Sequence, residues 1–126
     1  MHVTLTGSAL AGVQAFSASM RRVTFRDCKL DSVNFRSGSL TDVTFENCLL
    51  RDPEFGGAKL LRVSFPGSTL SRADFTKATC TDVDLRGAEP GITAGYESLR
   101  GVTIDSIQLV GLAPLLARHL GIIIAD

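Results

Sequence analysis

Cys28 and Cys48 are the residues in this 126-residue chain best placed to do chemistry. They close two near-copies, VTFRDC and VTFENC, twenty residues apart. Two stacked thiols could form a disulfide or a redox switch. The competing reading is small apolar filler, because Ser8 and Ser68 fall in the same phase and free cysteine is among the most buried residue types. Cys80 stands where a leucine is due and reads as filler by the same logic. An odd count of three, with no CxxC, suggests reduced thiols and a cytoplasmic chain.

Other chemistry has little to stand on. His2 and His119 are far apart, with no HxxxH or HExxH, so a zinc site is not expected. GxxxxGK[ST], GxGxxG and GxSxG are absent. Serines sit in turn and small-residue places, where size accounts for them. Glu89, Tyr96 and Glu97 gather in Ala88–Glu97, which carries a proline and two glycines and reads as a loop. A ligand or enzymatic site there is an alternative, although two carboxylates in a loop are usually only solvated. We expect no catalytic residue, no cofactor and no metal.

Charge excludes more. Thirteen basic residues balance thirteen acidic ones, which argues against a polyanion binder and against a strongly acidic surface alike. No apolar run approaches the ~20 residues of a membrane span. The start, MHVTLTGSALAG, lacks the basic-then-apolar order of a secretory signal.

What positions these residues is a beat of five. From Leu5 to Leu85 every fifth residue is apolar, and only Ala15 and Cys80 are small. Two places earlier runs a small or β-branched series, from Val3 to Val83. Neither helical nor strand periodicity survives that spacing, whereas a solenoid requires such self-similarity. Five residues make one side and one corner; four sides close a revolution of twenty. Each side sends one large and one small residue inward, and successive coils stack as parallel strands about 4.8 Å apart.

Units such as Ala73-Asp74-Phe75-Thr76-Lys77 and Val83-Asp84-Leu85-Arg86-Gly87 resemble the pentapeptide-repeat family, whose unit is commonly written A(D/N)LXX. The resemblance covers Val3 to about Gly87. It implies an all-β solenoid, a right-handed quadrilateral parallel β-helix, here of about four coils with a short C-terminal helical cap. It also implies a fold whose members are mostly not enzymes.

Folding the chain at twenty gives the expected core. Phe25, Phe45 and Phe65 share one wall and Phe35, Phe55 and Phe75 the facing one, with Leu30, Leu50 and Leu70 among the leucines between. The arginines, which alone suggest a phosphate track, fall above acids: Arg26 with Glu46, Asp31 with Arg51, Asp52 with Arg72, and Arg22, Asp42, Arg62 and Asp82 in one column of alternating sign. Direct nucleic-acid binding is therefore not expected. Ala15 in a large residue's place, followed by Phe16, predicts a slip in the first coil with Phe16 covering the core end. Pro53 predicts a bent corner, eased by Gly56-Gly57.

Two segments follow: a repeat helix over 1–87, and 88–126 as loop, final repeat-like turns and C-terminal helical segment. Asp105 to Gln108 has capping-box spacing, Pro114 predicts two short helices, and Gly121 a stop. Leu109, Leu112, Leu116 and Leu120 lie near one helical face, a candidate cap and dimer surface. Several relatives with the same repeat dimerise there. The expected function is a rigid, non-enzymatic protein-interaction scaffold with an unidentified protein partner. One alternative is a DNA-gyrase-binding modulator of the quinolone-resistance type, disfavoured by the neutral charge. Another is a structural fragment of a larger solenoid.

Overall fold

The computed structural model describes residues 2–126. The strands are β1 (Val3–Thr6), β2 (Ala9–Ala11), β3 (Ser19–Arg26), β4 (Lys29–Asp31), β5 (Ser39–Glu46), β6 (Leu49–Arg51), β7 (Lys59–Ser64), β8 (Thr69–Asp74), β9 (Thr79–Asp84), β10 (Glu89–Ala94) and β11 (Val102–Thr103). A 3-10 turn (Tyr96–Leu99) precedes β11, and a helix, α1 (Ser106–Leu120), ends the fold. All pairing is parallel, in a six-stranded sheet β1-β3-β5-β7-β9-β11 and a five-stranded sheet β10-β8-β6-β4-β2.

The register is twenty, Val3 on Val23 on Val43 on Val63 on Val83. Numbered from β1, walls 1 and 4 belong to the larger sheet, whose long strands bend at Arg22, Asp42, Arg62 and Asp82. Wall 2 is the smaller sheet. Wall 3 is held by the bridges Gln14–Asn34–Glu54–Asp74. Every corner takes the left-handed conformation: positive φ recurs every fifth residue from Gly7 to Gly87, and twelve of these corners are not glycine.

Geometry at the corners leaves a dry shaft. Phe25, Phe45 and Phe65 stack on wall 1 with ring centroids 5.0 Å apart, and Phe55 lies 5.3 and 5.0 Å from Phe35 and Phe75 on wall 3. Edge-to-face contacts join the walls, Phe35 to Phe45 at 6.1 Å and Phe55 to Phe65 at 6.3 Å. Leu30, Leu50 and Leu70 are buried on wall 2.

A second series of bonds runs up the axis. The carbonyl of the large wall-1 residue accepts from the side chain 23 residues later: Cys28 Sγ to Leu5 O (3.5 Å), Cys48 Sγ to Phe25 O (3.2 Å) and Ser68 Oγ to Phe45 O (2.7 Å). Ser68 Oγ also accepts the Cys48 N–H at 3.0 Å. Position 88 is alanine and cannot donate, but Gln108 Nε2 resumes the series on Leu85 O at 2.6 Å.

Several expectations are corrected. The solenoid has about five turns, not four, because residues 88–97 form β10 and the start of the 3-10 turn rather than a loop. The phase is lost there because the register is irregular: Ile92 pairs with Ala73 at nineteen, Ala94 with Asp74 at twenty again, and Val102 with Val83 at nineteen for the last strand. Gly95 and Gly101, at φ 85° and 86°, permit this, since a Cβ on either would collide with the Phe75 or Cys80 backbone.

The first coil shows no slip. Ala15 keeps the inward place, its N–H bonded to Asn34 O at 2.8 Å, and Phe16 is 62% exposed instead of covering the core. Pro53 makes no bend either. It is buried in the small inward place, where the equivalent Val33 N–H donates no backbone bond, so its missing donor costs nothing. Gly57 merely occupies a corner that Ser37 and Lys77 also hold.

Pro114 lies inside one continuous helix. Proline removes only the bond to Val110 O, and Val110 is on the solvent side. Asp105 caps α1, accepting the Gln108 N–H at 2.7 Å while Gln108 Oε1 accepts the Asp105 N–H at 2.9 Å.

Ser68→Ala strands the Cys48 N–H and the Phe45 carbonyl. The expected loss of stability is about 1–3 kcal/mol for buried groups left unpaired, read from the urea midpoint. Cys48→Ser, which restores the residue type found at 68, is expected to cost less than Ser68→Ala.

Candidate functional site

The paired cysteines are explained by the axial bonds. Cys28, Cys48 and Cys80 are free and buried. Cys48 Sγ is also 3.3 Å from Glu46 O, so its proton is committed to backbone carbonyls. Burial pushes the Cys48 and Cys80 thiols up to about 11, far from the thiolate that nucleophilic or redox chemistry needs. Sequence reasoning identified small filler here and missed the donor role. The available signal was that this column holds Ser, Cys, Cys, Ser and, after one alanine, Gln108.

Glu89, Tyr96 and Glu97 do not converge. Glu89 is on wall 2 in β10, beside a cleft of about 300 Å³ between Leu70, Pro90, Leu112 and Leu115. Tyr96 spends its hydroxyl on Ile92 O at 2.7 Å. Glu97 lies 3.0 Å from His119 Nε2 at the end of α1, and both carboxylates are exposed. His2 Nε2 sits 2.7 Å from Thr24 Oγ1. Among the described residues no group of three or more ligating side chains could hold a metal ion. A notch of about 390 Å³ on wall 3, left where Gly56-Gly57 lack side chains, mixes Arg36 and Lys77 with Glu54 and Asp74. Asp74 Oδ1 is already taken by the Thr76 N–H and hydroxyl.

Three of the expected charge stacks form: Arg26–Glu46 at 2.6 Å, Arg62–Asp42 at 2.6 Å and Arg72–Asp52 at 2.5 Å. Hydrogen bonds from Arg62 and Arg72 hold the Asp42 and Asp52 carboxyls below the usual carboxylate range. Asp31 and Arg51 are neighbours in register but make no ion pair among the described residues. Arg22 and Asp82 are left out of their column, because Arg62 engages both oxygens of Asp42. Arg86 reaches two places back along its own chain to Asp84 at 2.9 Å, a pair that stacking at twenty could not foresee. The walls thus carry interleaved signs rather than a basic track.

The four α1 leucines expected on one face divide. Leu112 is buried, Leu116 half-buried, and Leu109 and Leu120 are exposed. The helix docks through Leu112 and through Gln108, whose Nε2 donates to Leu85 O and to Ala88 O at 2.7 Å. Ile107, Leu109 and Val110 are exposed near its start, and Ile122, Ile123 and Ile124 are exposed just past its end. No helix is long and apolar enough to cross a membrane.

A family model described as "Pentapeptide repeat region" matches residues 1–75. The chain belongs to the pentapeptide-repeat family. Solved structures of pentapeptide-repeat proteins share the fold. A trypsin-treated form of QnrB1, a plasmid-mediated fluoroquinolone resistance protein, is 18% identical with TM-score 0.50, over 99% of this chain and 98% of that one. HetL, involved in heterocyst differentiation regulation in the cyanobacterium Nostoc, is 21% identical with TM-score 0.45, over 69% of this chain and 39% of that one. No curated protein matches the chain in sequence.

In this pentapeptide-repeat chain the thiols are expected to resist iodoacetamide at neutral pH until urea unfolds the solenoid. The sign of the pH effect follows from the raised values of Cys48 and Cys80. In the folded chain these two thiols stay protonated while in the unfolded chain they ionise near an ordinary ~8.5, so stability present below that pH is lost as pH rises towards about 11. A urea midpoint lower at pH 10 than at pH 7.5, with the drop reduced in Cys48→Ser, checks it.

Proposed function

We propose that this chain is a rigid, non-enzymatic interaction scaffold, of the cytoplasmic kind its reduced thiols suggest, whose protein-contact surface is the C-terminal end. One observation carries this: on α1, already docked through Gln108 and Leu112, Val110 and Leu120 are 74% and 72% exposed, and Ile123 just past the helix is 90% exposed. Large apolar side chains bared together on a folded surface mark an association site. The solenoid behind them supplies stiffness, since each coil is hydrogen-bonded along the axis to the next.

Leu120→Asp and Ile123→Asp leave the docking residues Gln108 and Leu112 untouched. They are expected to keep the wild-type circular dichroism while abolishing association in sedimentation equilibrium. A wild-type chain whose mass and contacts are indifferent to both changes sinks the reading.

A topoisomerase role by mimicry of duplex DNA is the weaker alternative. Its support is the likeness in fold to a fluoroquinolone resistance protein, and at 18% identity that extends to the fold alone. Against it stand walls on which arginines neutralise the acids of the next coil. The expected outcome of a gyrase supercoiling assay is neither inhibition nor protection from a quinolone.

A further inference from the structure

Cys28 and Cys48 repeat one another in their contacts as well as in the sequence. Each sulfur lies against the carbonyl 23 residues before it, at 3.5 Å for Cys28 on Leu5 and 3.2 Å for Cys48 on Phe25. Each also lies against the carbonyl two residues before it, at 3.4 Å on Arg26 and 3.3 Å on Glu46. The neighbouring residues hold the same register, with Arg26 on Glu46 and Lys29 on Leu49. Like contacts require like side-chain orientations. One sulfur therefore stands one coil above the other, about 4.8 Å away. Both thiols are free and buried.

That separation is wrong for a disulfide, whose sulfurs lie about 2.0 Å apart. It suits a metal ion held between the sulfurs. A zinc–thiolate bond is about 2.3 Å, and two such bonds in line span ~4.6 Å. Zinc itself is excluded, because it takes four ligands and the described residues bring no three ligating side chains together. Soft cations such as copper(I) select sulfur ligands, and two in line are enough for them.

The surroundings also select the charge. Both cysteines belong to the apolar core, where an uncompensated charge is costly. A monovalent cation bound by one thiolate and one thiol leaves the site neutral. Binding then forms two sulfur–metal bonds and releases one thiol proton, with no change of oxidation state. The ion competes with that proton, so uptake strengthens as pH rises.

We propose that Cys28 and Cys48 form a linear two-coordinate site for a soft monovalent cation of the copper(I) class, enclosed within the solenoid. Cys80 takes no part, since the residue twenty places before it is Leu60 and the one twenty after is Arg100. The site lies away from the C-terminal contact surface and stands independently of it. Entry requires neighbouring coils to part, so loading is slower than mixing.

Silver(I) is the probe, added as the nitrate to the reduced 126-residue chain. Native mass spectrometry and urea unfolding are the readouts. Wild type and Cys80→Ser are each expected to retain one silver ion per chain. Their urea midpoints are expected to rise up to one equivalent and no further. Cys28→Ser and Cys48→Ser are each expected to retain none, with circular dichroism as the check that they fold.

A wild-type midpoint that falls with silver overturns the inference without recourse to any variant, because the ion then prefers thiols of the unfolded chain. Silver retained by folded Cys28→Ser or Cys48→Ser also overturns it, since a single thiol then suffices. So does a wild-type chain that holds no silver even after refolding in its presence.

Discussion

The width of the shaft governs everything else in this molecule. Four walls close around a space that admits one large and one small side chain from each, and no water. That condition demands a turn every fifth residue, and the backbone meets it by placing every corner in the left-handed region. Twelve corners do so without glycine, at φ between 50° and 59°. Each costs an ordinary residue about 1–2 kcal/mol, somewhat less for Asp27, Asp42, Asn47, Asp52 and Asp82, whose short polar side chains tolerate it. Burial of an unbroken column of phenylalanine and leucine offsets that strain. Corner and core are therefore a single constraint.

The same constraint explains which features the sequence disclosed. Residues facing a shared shaft must repeat, so the phenylalanine walls, the valine column and three of the ion pairs can be found by folding the chain at twenty. What escaped depends on departures from the repeat. Gly95 and Gly101 let the last coil run one residue short, and a fixed period cannot follow that change. Phe16 looked like core because it is large and neighbours an alanine, but it lies in the turn at the Ser17 corner, outside the inward places. Pro114 looked like a break, although a helix already anchored by Gln108 and Leu112 absorbs one missing bond. Cys48 and Ser68 were visible as small residues. Their hydrogen bonds were not, because the relevant carbonyls lie 23 residues away.

For function, the walls and the ends differ. On the walls Arg26, Arg62 and Arg72 are paired with acids of a neighbouring coil, and the polar backbone is consumed by the coil above and below. The Cys28 and Cys48 thiols, the histidines and the Tyr96 hydroxyl are similarly committed. What remains unspent lies at the ends: half-buried core in the first coil, and the outer side of α1 with its isoleucine tail.

The slip from twenty to nineteen carries a consequence for how such a chain can change length. Removing twenty consecutive residues from the middle joins like to like and leaves each later side chain facing the way it did. Removing one would invert inside and outside for all that follows. The last coil tolerates its missing residue because little of the shaft lies beyond it, and a helix can cover the mismatch. Growth and shrinkage of the rod are thus quantised in whole revolutions, and a single lost residue acts as punctuation that ends the series.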